Sequence, residues 1–115
     1  MNKQLQALQS ELRELHKARD VLNYSYSKCA QLKIGPGLEP EQLESLEALT
    51  SRFARLSDII IQRIFRQLDI IDLEESGTAR DRINRAAKRG IIESAEQFIN
   101  IRLLRNEVQL PKLDL

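Results

Sequence analysis

Residues 52–69 read RFARLSDIIIQRIFRQLD, and the spacing of their apolar side chains decides the fold. At about 100° per residue, Leu46, Leu49, Phe53, Leu56, Ile60, Ile64 and Ile71 form one stripe, so the spacing predicts a long helix from about Glu41 to Glu75. The stripe is wider than one core face needs. Ile61, Phe65 and Leu68 extend it on one side, and Ile59 and Ile70 lie well round the other. Surplus apolar surface of this kind points to a second buried contact, most economically a subunit interface. The alternative is a central helix surrounded by the rest of its own chain.

Working toward the N-terminus, IGPGLEP (34–40) packs two glycines and two prolines into seven residues, which no helix tolerates, and Pro40 is suited to open the long helix. Before it, Leu5, Leu8, Leu12, Leu15, Leu22 and Cys29 recur at helical steps and predict a first helix over residues 2 to about 31. On the other side, Gly77 reads as the cap of the long helix. TARD (78–81) then reads as a capping box opening a short helix over about 79–89 that Gly90 ends. SAEQ (94–97) repeats the device for a fourth helix reaching about Gln109, where Pro111 stops it. The expected fold is all-α: an antiparallel four-helix up-and-down bundle with long helices 1 and 2 and a short helix 3. Residues 1–110 form its single domain and 111–115 a C-terminal tail.

Composition agrees with that class. The 115 residues are 42% hydrophobic and 30% charged, with three prolines and four glycines. The absence of tryptophan and the sparse aromatics exclude a base-stacking platform. Net charge is +1 but unevenly spread: +2 over residues 1–40 (six Lys and Arg against four Asp and Glu), −4 over 41–77 (four against eight) and +3 over 78–115 (eight against five). Any anion site is therefore local. One cysteine, no signal peptide and no long apolar run predict a cytoplasmic protein without membrane association. A single histidine and a single cysteine leave no zinc site, and no cofactor is expected.

Arginines dominate the candidate chemistry. Arg105 falls inside the apolar arc of Phe98, Ile101, Leu104 and Val108, and an unpaired guanidinium against hydrocarbon costs several kcal/mol. Either it is held in a cleft to grip a phosphate or carboxylate, or its stem covers the core while its head reaches Glu107 or an acid of the long helix. Arg52, Arg55, Arg63 and Arg66 lie along one side of the long helix, with Glu47, Asp58 and Asp69 roughly opposite. Such a row tracks a phosphate backbone or forms a solvated flank. Arg80, Arg82, Arg85, Lys88 and Arg89 against Asp81 make the short third helix the strongest electropositive patch. His16 sits at the edge of the first helix's stripe with no companion for proton transfer. Tyr24 and Tyr26 read as packing residues and Cys29 as a small buried one.

The run RDRINRAAKRGIIESAEQFINIRLLRNEV (81–108 with Arg80) resembles the HEPN superfamily. The closest group within it is the small helical partners of minimal nucleotidyltransferases, also called nucleotidyltransferase substrate-binding proteins. The likeness lies in the short basic helix, the Gly-Ile-Ile turn, a helix start with Phe98 four residues after Ser94, and the RNEV near the chain's end. It extends back through the Arg-Phe of the long helix and covers about residues 45–108. The resemblance implies a homodimer, and in active members a metal-independent ribonuclease toxin neutralised by its cognate nucleotidyltransferase. It places Arg105 and Asn106 at the opening of the catalytic motif, in a cleft between subunits, with Arg102, Arg52 and Arg63 as further nucleotide- or RNA-binding residues. The histidine that completes the motif would fall at Leu110 and the following tyrosine at Lys112, and neither side chain can do the corresponding work.

The expected function is therefore a HEPN-like partner of a minimal nucleotidyltransferase in a toxin-antitoxin type module, without ribonuclease activity. The rivals are an active ribonuclease toxin, which needs a proton-transfer residue near Arg105, and a helical scaffold with no nucleotide or RNA ligand. A scaffold would have Arg52, Arg63, Arg102 and Arg105 all paired with acids.

Overall fold

The computed structural model describes residues 2–33, 35–75 and 77–107, the last three by backbone alone. The described residues are helical and contain no strand. The elements are α1 (Lys3–Cys29), α2 (Pro40–Asp58), a π-helical segment (Ile59–Ile64), α3 (Phe65–Ile71), α4 (Ala79–Lys88) and α5 (Ala95–Glu107). α2, the π segment and α3 run on without a break, so the described residues form four helical stretches. None is long and apolar enough to cross a membrane among the described residues.

Local chemistry sets most of the boundaries. Asn2 Oδ1 accepts from the Gln4 N–H at 2.7 Å and opens α1. Glu39 and Gln42 close a capping box around Pro40 at the start of α2. At α4, the Thr78 N–H donates to Asp81 Oδ2 at 2.9 Å and the Asp81 N–H donates to Thr78 Oγ1 at 3.1 Å. The hydrogen bond from the Thr78 backbone, helped by the one from its side chain, holds the Asp81 carboxyl below the usual carboxylate range. Ser94 Oγ accepts from the Gln97 N–H at 3.1 Å at the start of α5.

The long helix ends four residues earlier than its spacing predicts, at Ile71, and its cap is Leu73 rather than Gly77. The Glu74 N–H bonds to the Asp69 carbonyl at 2.8 Å and the Leu73 N–H to the Ile70 carbonyl at 3.1 Å, which puts Leu73 in the left-handed region at φ 59°. After α4 the Gly90 N–H bonds to the Ala87 carbonyl and the Ile91 N–H to the Ala86 carbonyl, both at 3.0 Å, with Gly90 at φ 78°. Gly77 has another duty: a Cβ there would lie 2.6 Å from Asp81 Oδ2 and push the α4 cap apart. Leu73 is 92% exposed, so it gains no burial in return for its backbone cost. Leu73→Gly is expected to raise stability by about 1 kcal/mol, read as a higher urea midpoint at unchanged slope; an unchanged or lower midpoint would count against this account.

α1 lies against α2, the π segment and α3, and its partners run in opposite order. Gln67 Nε2 donates to the Gln4 carbonyl at 3.0 Å, Arg63 meets Glu11 at 3.7 Å, Arg52 reaches Ser25, and Cys29 Sγ donates to the Ser45 carbonyl at 3.3 Å. Cys29 is buried, as its place in the stripe predicts. α4 packs on the π segment and α3, and α5 on α2 and α4. The core gathers at the π segment: Ile59, Ile61, Ile64 and Phe65 are buried with Ala18 of α1 and Ile83 and Ala86 of α4.

That core changes the meaning of the wide apolar surface. A regular α-helix would point Ile59 and Ile61 about 200° apart, yet both are 2% exposed. The backbone widens here, with the Phe65 N–H bonded to the Ile60 carbonyl five residues back, and helices pack on more than one side. Of the mid-helix surplus, Ile59, Ile61 and Phe65 are covered inside the chain, while Leu68 and Ile70 are half-buried. More uncovered apolar surface lies elsewhere. Leu22, Leu46, Leu49 and Phe53 are only half-buried, at a distance along the hairpin from the core, and Tyr26, Ile101, Leu103 and Leu104 are exposed. Tyr24 and Tyr26, read from sequence as packing residues, are each 65% exposed.

Candidate functional site

α5 brings its first half to the core and leaves its second half out. The Phe98 ring lies 5.4 Å from that of Phe65 and Ile99 packs beside it. Beyond them the expected arc fails, since Ile101 and Leu104 are both about half exposed. Leu104 borders an apolar groove of about 380 Å³ with Leu22, Tyr26, Leu49 and Phe53. Arg105 and Asn106 follow in the last turn of α5, their side chains outside the described residues, and Leu110 and Lys112 lie outside them altogether.

The remaining arginines separate into paired and unpaired. Arg63 lies on the π segment and pairs with Glu11. Arg102, half-buried on α5, makes no ion pair with a described residue. Arg52 is half-buried on α2, and its guanidinium donates through Nη1 to the hydroxyl of buried Ser25 and makes no ion pair with a described residue. Arg52 and Arg63 face α1 about 16 Å apart along the helix axis, Arg102 stands on α5, and the Arg105 side chain lies outside the described residues. His16 is exposed on α1 without a hydrogen-bonding partner.

The basic third helix resolves differently from its sequence. Arg85 and Arg89 turn inward onto Asp69, which is fully buried: Arg85 Nη1 donates to Asp69 Oδ2 at 3.0 Å and Arg89 Nη2 to Asp69 Oδ1 at 2.9 Å. Arg89 Nε also donates to Asp72 at 2.7 Å, and Arg85 to the Glu75 carbonyl at 3.0 Å. Burial works against the Arg89 charge, but the hydrogen bonds to Asp69 and Asp72 outweigh it, so its pKa lies above the ordinary guanidinium value. Arg82 donates to Gln62. What remains solvated is Arg80 and Lys88, so the patch is chiefly a latch tying α4 to α3. Asp69 carries no mark in the sequence except its position among Leu68, Ile70 and Ile71.

No family model, no curated protein and no solved structure matches the chain. Among the described residues no three of His, Cys, Asp and Glu stand together as metal ligands. The candidate functional residues thus rest on charge and placement: Arg52 at the α1–α2 seam and Arg102 on α5, neither in an ion pair with a described residue, and an arginine-asparagine pair at the end of α5.

Proposed function

We propose that the chain is a HEPN-like protein, an antiparallel four-helix bundle that partners a minimal nucleotidyltransferase in a toxin-antitoxin type module and lacks ribonuclease activity. The observation that carries this reading is the position of the arginine-asparagine pair. Arg105 and Asn106 follow directly on Leu104, which borders an apolar groove that no other described residue covers. A second copy laid on that groove would enclose the pair, which is what a shared cleft requires. The opposite running order of the contacts between α1 and the long helix supports the bundle topology. Arg52 and Arg102, unpaired with acids, favour a phosphate-bearing ligand over a bare scaffold.

Chemistry is withheld by the sequence after the pair. Proton abstraction from a ribose hydroxyl needs a base, and Leu110 offers none. Purified protein incubated with RNA in the absence of metal is expected to leave it intact. Cleavage that disappears in Arg105→Ala would overturn the non-catalytic reading.

Assembly gives the second test. Light scattering at micromolar concentration is expected to give twice the 13.3 kDa chain mass, and Leu104→Glu, which sets a charge into the groove, to return it to the monomer. A monomer mass for the parent protein would sink the shared cleft.

A further inference from the structure

We infer that the seam between α1 and α2 holds a binding site for a phosphate ester, with Arg52 and Arg55 gripping the phosphoryl group. This deepens the nucleotide- or RNA-binding role proposed for Arg52 and adds residues on a helix other than the one carrying Arg105.

The inference starts from a contrast. Arg85 and Arg89 each face carboxylates, and Arg63 faces Glu11. Arg52 is half-buried too, yet its one partner among the described residues is the hydroxyl of Ser25, itself 3% exposed. A hydroxyl fixes the direction of a guanidinium without neutralising it. The fork is thereby pre-oriented and its charge left to be matched from outside.

One of the two hollows that Arg52 borders suits an anion. A cleft of about 250 Å³ between the two helices is lined by Glu14, Lys17, Ala18, Val21, Arg52 and Arg55. Glu14 is already engaged by Lys17 at 3.6 Å, and the lining carries three cations against that one acid. Arg55 makes no ion pair with a described residue. Three residues apart on a helix, Arg52 and Arg55 have Cβ atoms about 5–6 Å from each other, close enough for both forks to reach one tetrahedral group. A phosphate monoester, with charge of about −1.5 to −2 at neutral pH, matches the surplus of two better than a carboxylate does.

The other side of Arg52 says what the rest of the ligand is. There the seam opens into a groove of about 490 Å³ that Arg52 also borders, with Lys28 set against Glu41 and Glu44, and Tyr24, Ser25 and Ser45 among its walls. With Arg52 already counted in the small cleft, this groove carries one cation, Lys28, against two acids, so it suits an uncharged or cationic polar body with hydrogen-bonding groups and not a second anion. A phosphate in the small cleft and a polar organic group in the larger groove describe a nucleotide-like ester, free or as the terminus of a strand.

Calorimetric titration with AMP, inorganic phosphate and a short single-stranded RNA bearing a 5′-phosphate separates these sources. AMP binding is expected, weakened at least about tenfold by Arg52→Gln and again by Arg55→Gln, the loss of one charge-assisted contact each. Arg55 is exposed, so its variant keeps the test decisive if Arg52→Gln unfolds. Ser25→Ala should weaken binding several-fold with Arg52→Lys no substitute for the fork, whereas Arg80→Gln on α4 should change nothing. Inorganic phosphate binding as tightly as AMP would overturn the role of the larger groove. RNA that binds the parent and the Arg52→Gln, Arg55→Gln double variant alike would sink this site while leaving RNA binding elsewhere intact. No binding of any probe at millimolar concentration would sink both.

Discussion

Asp69→Ala is expected to lower stability by about 3 kcal/mol. The carboxylate is fully buried and receives hydrogen bonds from Arg85 and Arg89, whose side chains keep 25% and 19% of their exposure. Removing it strips both cations of their buried partner and leaves Arg89 only Asp72 and Arg85 only Glu74 and the Glu75 carbonyl. Breaking a buried pair costs about 3–5 kcal/mol, and the partial exposure of both arginines places this case at the lower end, since water can rehydrate them. In a chain of this length that is a fall of roughly 10 °C in the thermal midpoint. Asp69→Asn should fall almost as far, because it keeps the shape and loses the charge. Replacing all three residues with apolar ones of similar volume should recover much of the loss, since a well-packed apolar cluster can equal a buried ion network. A drop of under 3 °C for Asp69→Ala would show that the latch does not hold α4.

Phe65→Ala attacks the core itself. The ring is 2% exposed at the junction of the π segment and α3, where it meets Phe98 and joins α5 to the centre of the molecule. Truncation costs about 3–5 kcal/mol from lost transfer energy and the cavity left behind, with the ring pair adding about 1 kcal/mol. Phe98→Ala should cost less, because that ring is only half-buried. Urea unfolding of the two variants checks the order, and an equal or larger loss for Phe98→Ala would mean that α5 and not the π segment anchors the core. Set against a whole stability of about 5–15 kcal/mol, Phe65→Ala brings the chain close to unfolding.

Residue chemistry made the helices legible and the contacts between them much less so. Thr78 with Asp81, Pro40 and Gly90 announced their boundaries because capping depends on neighbours a few residues away. Leu73 could not be anticipated as a cap, since nothing about leucine favours the left-handed region; two backbone bonds of the closing turn put it there. The basic α4 was visible as charge, but its meaning was not. Whether Arg85 and Arg89 face water or Asp69 depends on how α3 and α4 pack, 16 and 20 residues apart in the chain. The same limit applied to the arginine row of the long helix: sequence placed Arg52 and Arg63 on one side, and only the fold distinguished a partner hydroxyl from a partner carboxylate. The wide stripe was read at constant helical pitch, an assumption that residues 59–64 do not obey.

That widened turn holds more chain per revolution than the helix on either side of it. If one residue were lost from Ile59–Ile64, the winding could tighten to the ordinary pitch while α2 and α3 kept their present neighbours. A loss between Pro40 and Asp58 would swing every later side chain by about 100° and turn Phe65 and Asp69 away from their partners. The stretch is therefore a slack link in an otherwise phase-locked rod, the place where insertions and deletions can accumulate without scrambling what lies downstream.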